Sequence, residues 1–268
     1  MGFEQKYEYD AMSQRPVYRA VTEALIDMCP APEGARIVDV GCGSGLATVL
    51  LLDRYPHVES VIGIDPSDYE LAIARERVIH PKVRFVVGTA QDIRDVIGEV
   101  DATILSNVLH QIPISERSAV LTGCYQSLKP GGRCALNTLF YKGGVVTATL
   151  GFYMRWMNET NGVLRSYGKQ IVSPASTPPA LAQLTPQEHK EMLERIGYHD
   201  VQVVEKTFQY DAEDWKTLST YSVFIEGSTG LTDHALGARA LQAGIDRVFA
   251  ALGLTSVSRN FLFATGVK

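Results

Sequence analysis

The sequence has no surplus of cations: 25 Lys and Arg stand against 30 Asp and Glu, a formal charge of −5. No basic run occurs, which argues against nucleic acid or an anionic membrane as the main partner, because phosphate contacts need clustered cations. Cysteine is scarce too. Cys29, Cys42, Cys124 and Cys134 form no CxxC pair and lack zinc-site spacing, so they read as reduced thiols and the chain as cytoplasmic. There is no P-loop, no catalytic-triad order and no metal-ligand cluster, so no metal is expected. No apolar stretch reaches the roughly 18 residues of a membrane span. The longest, Gly143–Met157, is broken by Arg155. The N-terminal residues lack a signal-like apolar region, and Lys6 stands where a myristoylation signal carries Ser or Thr. Internal repeats and low-complexity tracts are also absent.

What is present is an ordinary globular composition, 46% hydrophobic over 268 residues, enough for a sizeable core. Short β-branched runs at Arg36–Val40, Ser60–Ile64, Val83–Val87, Ala102–Ser106 and Cys134–Phe140 read as strands. Helical patterns separate them: Leu46–Arg54, Tyr69–Val78 and Ser115–Leu128. Several strands are apolar throughout, the mark of burial on both faces, so an α/β, doubly wound, mostly parallel sheet is expected. Val201–Thr207 and Arg259–Val267 bring it to seven strands. Thr185–Ile196 reads as a helix, with Thr185 as N-cap, Pro186 at the first position and Gly197 as stop.

A single domain over residues 1–268 is expected. Residues 1–34 form N-terminal cap helices, including Arg15–Met28, and residues 35–141 form the core. Residues 185–207 and 259–268 complete the sheet. Lys142–Ala182 carries Gly, Ser, Pro and aromatics without a clean period, and is too long for an idle connection. It reads as an inserted helical lid with one helix near Thr147–Thr160. With the C-terminal helices of 211–252, patterned at Asp211–Glu226 and Thr232–Leu252, it would cover the substrate.

The strongest local signal is Ile37-Val-Asp-Val-Gly-Cys-Gly-Ser-Gly45, a strand running into a glycine-rich turn and then a helix. Glycines there let the backbone approach a ligand at the carboxyl end of the first strand. Taken alone, the turn also reads as a tight connection with no ligand. The spacing G-x-G-x-G places Leu46 where a dinucleotide fingerprint has its third glycine, which disfavours a pyrophosphate and a nicotinamide-dependent oxidoreductase. Asp65, ending the second strand, is placed to accept both hydroxyls of a ribose. Asp92, in Gly88-Thr-Ala-Gln-Asp92 after the third strand, is placed to accept an exocyclic amine.

At these residues the chain resembles the class I S-adenosylmethionine-dependent methyltransferases of small-molecule type. Val38-Asp-Val-Gly-Cys-Gly-Ser-Gly is similar to the family's first motif, Gly63-Ile-Asp-Pro-Ser to its second, and Gly88-Thr-Ala-Gln-Asp to its adenine-side motif. Asp101–His110 and Leu128-Lys-Pro-Gly-Gly132 match the fourth strand and the turn before the fifth. The resemblance covers Arg36–Phe140 and Thr185–Thr207 and implies a Rossmann-like methyltransferase fold. It implies S-adenosylmethionine as cofactor, S-adenosylhomocysteine as product, and methyl transfer to an O, N or C atom of a small molecule. Use of the fold for a reaction other than methyl transfer stays open. Methylation of nucleic acid or protein is disfavoured, since Ser106-Asn-Val-Leu stands where an Asn-Pro-Pro-Tyr-type motif would be.

Residue by residue, the resemblance implies that Asp39 faces the methionine ammonium and that Gly41, Cys42, Gly43 and Gly45 line the turn beneath the cofactor. Asp65 would take the ribose hydroxyls, Pro66 the adenine face, and Ala90, Gln91 and Asp92 the adenine edge. Asn107 would offer its backbone carbonyl to the methionine end. His110, just past the fourth strand, is the candidate general base; the alternative is a histidine that packs beneath the cofactor. Tyr7, Tyr9 and Tyr18 are candidates for a cap, or plain exposed tyrosines. Phe152, Tyr153, Trp156 and Tyr167 would wall an acceptor pocket or simply pack the inserted helix. His189 and His199 read as surface residues. A lid with exposed aromatics leaves a homodimer open.

Overall fold

The computed structural model describes residues 8–145, 147–174 and 181–268. Tyr7 lies outside the described residues, as does the side chain of Tyr9. Among the described residues, no helix is long and apolar enough to cross a membrane.

Seven strands form one sheet: β1 (Arg36–Val40), β2 (Ser60–Asp65), β3 (Val83–Val87), β4 (Val100–Ser106), β5 (Leu128–Thr138), β6 (His199–Tyr210) and β7 (Val257–Val267). Their order across the sheet is β3-β2-β1-β4-β5-β7-β6. The first five run parallel, and β7 lies antiparallel between β5 and β6. In register, Val38 of β1 faces Ile62 on one side and Thr103 on the other.

Alternate side chains feed two cores, as the pleat requires. On one face Ile37, Val61, Ile104, Phe261 and Phe263 meet helices α2 (Pro16–Ile26), α3 (Leu46–Arg54), α7 (Thr147–Ser166), α9 (Ala212–Leu218), α10 (Ser222–Thr229) and α11 (His234–Leu252). On the other, Val38, Ile62, Leu105, Leu136 and Ala264 meet α5 (Ile93–Val96), α6 (Ile114–Ser127) and α8 (Pro186–Ile196). Two short helices remain, α1 (Glu8–Ser13) and α4 (Asp68–Arg77). The predicted caps of α8 form: Thr185 Oγ1 accepts from Glu188 N, and Gly197 takes the left-handed conformation.

Some boundaries differ from the sequence reading. The fifth strand starts at Leu128 rather than Cys134: Leu128 pairs with Val100, then residues 129–132 bulge out before Arg133 resumes opposite Ala102. The helical pattern of Asp211–Glu226 is broken into α9 and α10. Ser219 Oγ donates to Trp215 O and Thr220 Oγ1 to Thr217 O, hydrogen bonds that close off the helix end locally. His189, read as a surface residue, is buried, with Nδ1 2.9 Å from Thr185 O. Its helix turns that face onto the sheet.

Candidate cofactor site at the strand ends

The carboxyl ends of β3, β2, β1 and β4 lie side by side, and the chain reverses direction across the sheet between β1 and β4. Open α/β sheets bind ligands at such a switch point. The residues predicted for the cofactor, and His110, lie at or just past these strand ends.

Gly41, Gly43 and Gly45 take φ of 67°, 49° and 91°, conformations that L side chains rarely adopt. A Cβ on Gly41 would stand 2.7 Å from Val108 Cγ2. Gly41 N and Cys42 N both donate to Ile64 O, fastening the turn to β2. Asp65 completes the clamp: its Oδ2 accepts from Gly43 N at 3.0 Å and its Oδ1 from Ser67 N at 2.8 Å. Burial raises its pKa, and the two backbone donors oppose that rise. Each oxygen keeps a further lone pair. Pro66 is exposed beside it.

Asp39 is the unusual member. It is 1% exposed, Thr48 Oγ1 donates to its Oδ2 at 2.7 Å, and its Oδ1 is buried with no partner. Burial pushes its carboxyl from 3.8 up to about 7, against the Thr48 hydrogen bond and with help from Asp65. Among the described residues neither Asp39 nor Asp65 has an ion-pair partner. Cys42 is a packing residue: its Sγ lies 2.8 Å from where a Cβ on Gly63 would stand, and burial pushes the thiol far up.

On the other side, Ala90–Asp92 form a short 3₁₀ turn after β3. Thr89 N and Oγ1 both donate to Asp92 Oδ2, which holds this exposed carboxyl below its usual pKa. Gln91 is exposed and Ala90 buried. Gly123 of α6 lets that helix approach: a Cβ there would be 2.5 Å from Ala90 O.

Past β4, Asn107 takes a φ of 58°, tolerated by asparagine better than by most residues. Its N donates to Asn137 Oδ1 at 2.7 Å, and its O already accepts from Gln111 Nε2. The buried side-chain amide of Asn107 is unpartnered. His110 is buried, its Nδ1 3.1 Å from Thr138 Oγ1 and its ring 4.7 Å from that of Phe140. Burial, with the nearby Arg117 charge, lowers its pKa to about 3. The ring is therefore neutral and disinclined to hold a proton.

Thr48 and Asn137 escaped the sequence reading. Asn137 had left a signal, a lone amide within an apolar strand; Thr48 had left none. The proposed aromatic wall divides. Trp156 is fully buried, donates Nε1 to Leu241 O at 2.8 Å and packs against Gly244 of α11. Tyr167 is half exposed. Tyr18 of α2 is buried rather than exposed, with its ring 6.2 Å from Tyr210.

These residues suit a cationic nucleoside. The turn brings bare backbone to the strand edge, and a buried carboxylate oxygen without a donor awaits a cation.

A methyltransferase-domain family model matches residues 37–132. Over 114 residues the chain is 34% identical to a trans-aconitate 2-methyltransferase of Variovorax paradoxus, covering 42% of each protein. The like-named protein of Deinococcus radiodurans is 29% identical over 219 residues, 80% of this chain and 72% of that one. The first of these matches thus spans less than half of its relative. Among solved structures, Haemonchus contortus phosphoethanolamine N-methyltransferase 2, bound to S-adenosylhomocysteine, superposes with a TM-score of 0.60 at 16% identity. That match covers 99% of this chain and 58% of the other. The glycine turn, the acidic strand ends and the sheet order agree with the family match: residues 37–132 carry a methyltransferase domain.

Proposed function

We propose that this protein transfers a methyl group from S-adenosylmethionine to an O, N or C atom of a small molecule. The observation that carries the reading is the unpartnered Oδ1 of Asp39, buried beside the glycine turn. Small-molecule substrates in the names of the two relatives support the acceptor class. Four buried free thiols support a reducing, cytoplasmic setting.

When bound, the cofactor supplies an electrophilic methyl group on a sulfonium. Asp39 would hold the ammonium. Asp65 would accept the ribose hydroxyls with the lone pairs that Gly43 and Ser67 leave free, and Asp92 the adenine amine through Oδ1. Cys42 and Gly41–Gly45 would give the backbone floor, Pro66 and Ala90–Gln91 the adenine walls, and Asn107 the carbonyl at the methionine end. His110 would orient the acceptor through Nε2, as a hydrogen-bonding neutral ring rather than a proton store. Residues 142–182 and 211–252 would form the cover that keeps water out; residues 146 and 175–180 of that stretch lie outside the described residues.

Calorimetry with S-adenosylhomocysteine tests this directly. Asp65→Ala is expected to weaken binding by tens to hundreds of fold, the effect of losing about two charge-assisted hydrogen bonds. A wild-type protein that gives no binding heat would end the reading.

A further inference from the structure

Arg259 opens β7, and it is out of keeping with its surroundings. It is 6% exposed, and among the described residues no carboxylate lies within 4 Å of its guanidinium. Its two partners are neutral. Nη1 donates to Tyr153 Oη at 2.7 Å, and Nη2 donates to Leu139 O at 2.8 Å. Nε is buried and unpartnered. The carboxylates of this region are already engaged: Glu205 accepts from Tyr141 Oη, and Asp214 from Arg15 Nε. Buried ions are normally paired, because taking a charge from water without a counter-ion is very costly. A tie between α7 and the end of β5 needs two N–H donors, which a neutral amide could supply. The charge needs another explanation.

The surroundings are rich in donors and poor in acceptors. Among the described residues, three buried donors here have no hydrogen-bond partner: Arg259 Nε, Trp215 Nε1 and Tyr210 Oη, the last beside the Tyr18 ring. They belong to one cluster. Arg259 lies over the Tyr153 ring at 5.8 Å, Tyr153 is 5.5 Å from Trp215, and Trp215 is 5.3 Å from Tyr210. Tyr153 Oη already accepts from Arg259, so its own proton is free to be donated. Burial keeps both phenols protonated by pushing their pKa upward.

The cluster is also close to the chemistry. Because β7 is antiparallel, its first residues lie at the carboxyl edge of the parallel strands. Leu139, held by Arg259, directly follows Thr138, whose hydroxyl meets His110. We propose that Arg259, with Tyr153 and Tyr210, receives an oxyanion of the methyl acceptor, a carboxylate or a phosphate group. The proposal rests on the methyl-transfer reading above. A guanidinium fork matches either anion, and three of its five N–H groups are unused by the two ties.

The test is calorimetry on the full chain saturated with S-adenosylhomocysteine. The probes are propane-1,2,3-tricarboxylate, glutarate, inorganic phosphate and, as a neutral control, the trimethyl ester of the tricarboxylate. At least one anion is expected to bind the wild type and the ester not to bind; carboxylates against phosphate tell which group the acceptor carries. Arg259→Gln, which keeps an amide donor for the ties but no charge, is expected to weaken the anion about 10- to 100-fold. Its affinity for S-adenosylhomocysteine should stay within about twofold, since the cofactor turn is on other strands. If Arg259→Gln melts below the assay temperature, Arg259→Lys decides in its place, with a loss of about tenfold expected because lysine keeps the charge without the fork. Failure of every anion to bind the loaded wild type, or anion binding undiminished in the deciding variant, overturns the proposal. Failure of S-adenosylhomocysteine itself to bind overturns instead the reading beneath it.

Discussion

Asp39→Asn separates what a buried carboxylate costs the fold from what it does for a ligand. The unfolded chain loses the Asp39 proton near pH 3.8, whereas the folded chain keeps it to about pH 7. Between those values the unfolded state binds fewer protons, so stability falls as pH rises. The Asp39 contribution works out to a cost of about 2 kcal/mol at pH 5 and about 4 kcal/mol at pH 8. Asparagine has no such ionisation, and its carbonyl can still accept from Thr48 Oγ1. Any strain from the new amide acts equally at both pH values. Urea unfolding should therefore show Asp39→Asn gaining on the wild type by about 2–3 kcal/mol between pH 5 and pH 8. In the same variant the dissociation constant for S-adenosylmethionine should rise about 10- to 100-fold, because the ammonium loses its counter-charge. Parallel stability–pH curves for the two proteins would refute the buried-charge reasoning. An unchanged dissociation constant would detach Asp39 from the cofactor.

Three further outcomes are expected. Because His110 is held neutral down to about pH 3, kcat/KM should show no ionisation near pH 6.5; a break there that disappears in His110→Gln would restore a general-base role. Gly123→Val places a side chain against Ala90 O, so melting temperature should fall by the equivalent of about 1–3 kcal/mol. Cofactor affinity should drop with it, and calorimetry showing full affinity would separate α6 from the adenine side. Trp156→Ala should cost about 3–5 kcal/mol in denaturant unfolding, since the ring is wholly buried and bonded to Leu241 O. Full stability with an altered acceptor KM would make it a pocket wall.

The elements at the strand ends were legible because their determinants are local. A glycine turn, a carboxylate at a strand end and the Gly88–Asp92 motif each announce themselves within about ten residues. Asp39 was legible as a position but not as a charge without a partner, which depends on Thr48 and on the depth of the first strand. His110 was placed correctly past β4, yet its neutral state follows from packing against Phe140 and the nearness of Arg117, and neither could be read from a linear pattern. The acceptor side was the least legible. Arg259 reaches Leu139 and Tyr153 across more than a hundred residues of chain, and nothing in the sequence near it marks that meeting. Trp156 shows the converse: an aromatic in an irregular segment suggests a pocket, and tertiary packing against α11 makes it core.

The antiparallel insertion of β7 has a consequence for how the molecule assembles. Strands β1 to β5 follow one another closely, each joined to the sheet by a short crossover. The remaining side of β5 is filled only by β7, after residues 139–256 have been placed. Closing so long a loop is entropically expensive, and pairings of high sequence separation form slowly. Until then β5 offers a bare hydrogen-bonding edge flanked by apolar side chains, the feature from which intermolecular strand pairing begins. The half that holds the cofactor turn can form early, whereas the half that carries Arg259 must form last. The slowest step of refolding, and the interval in which the chain is most open to intermolecular strand pairing, is therefore expected to be set by the docking of β7 between β5 and β6.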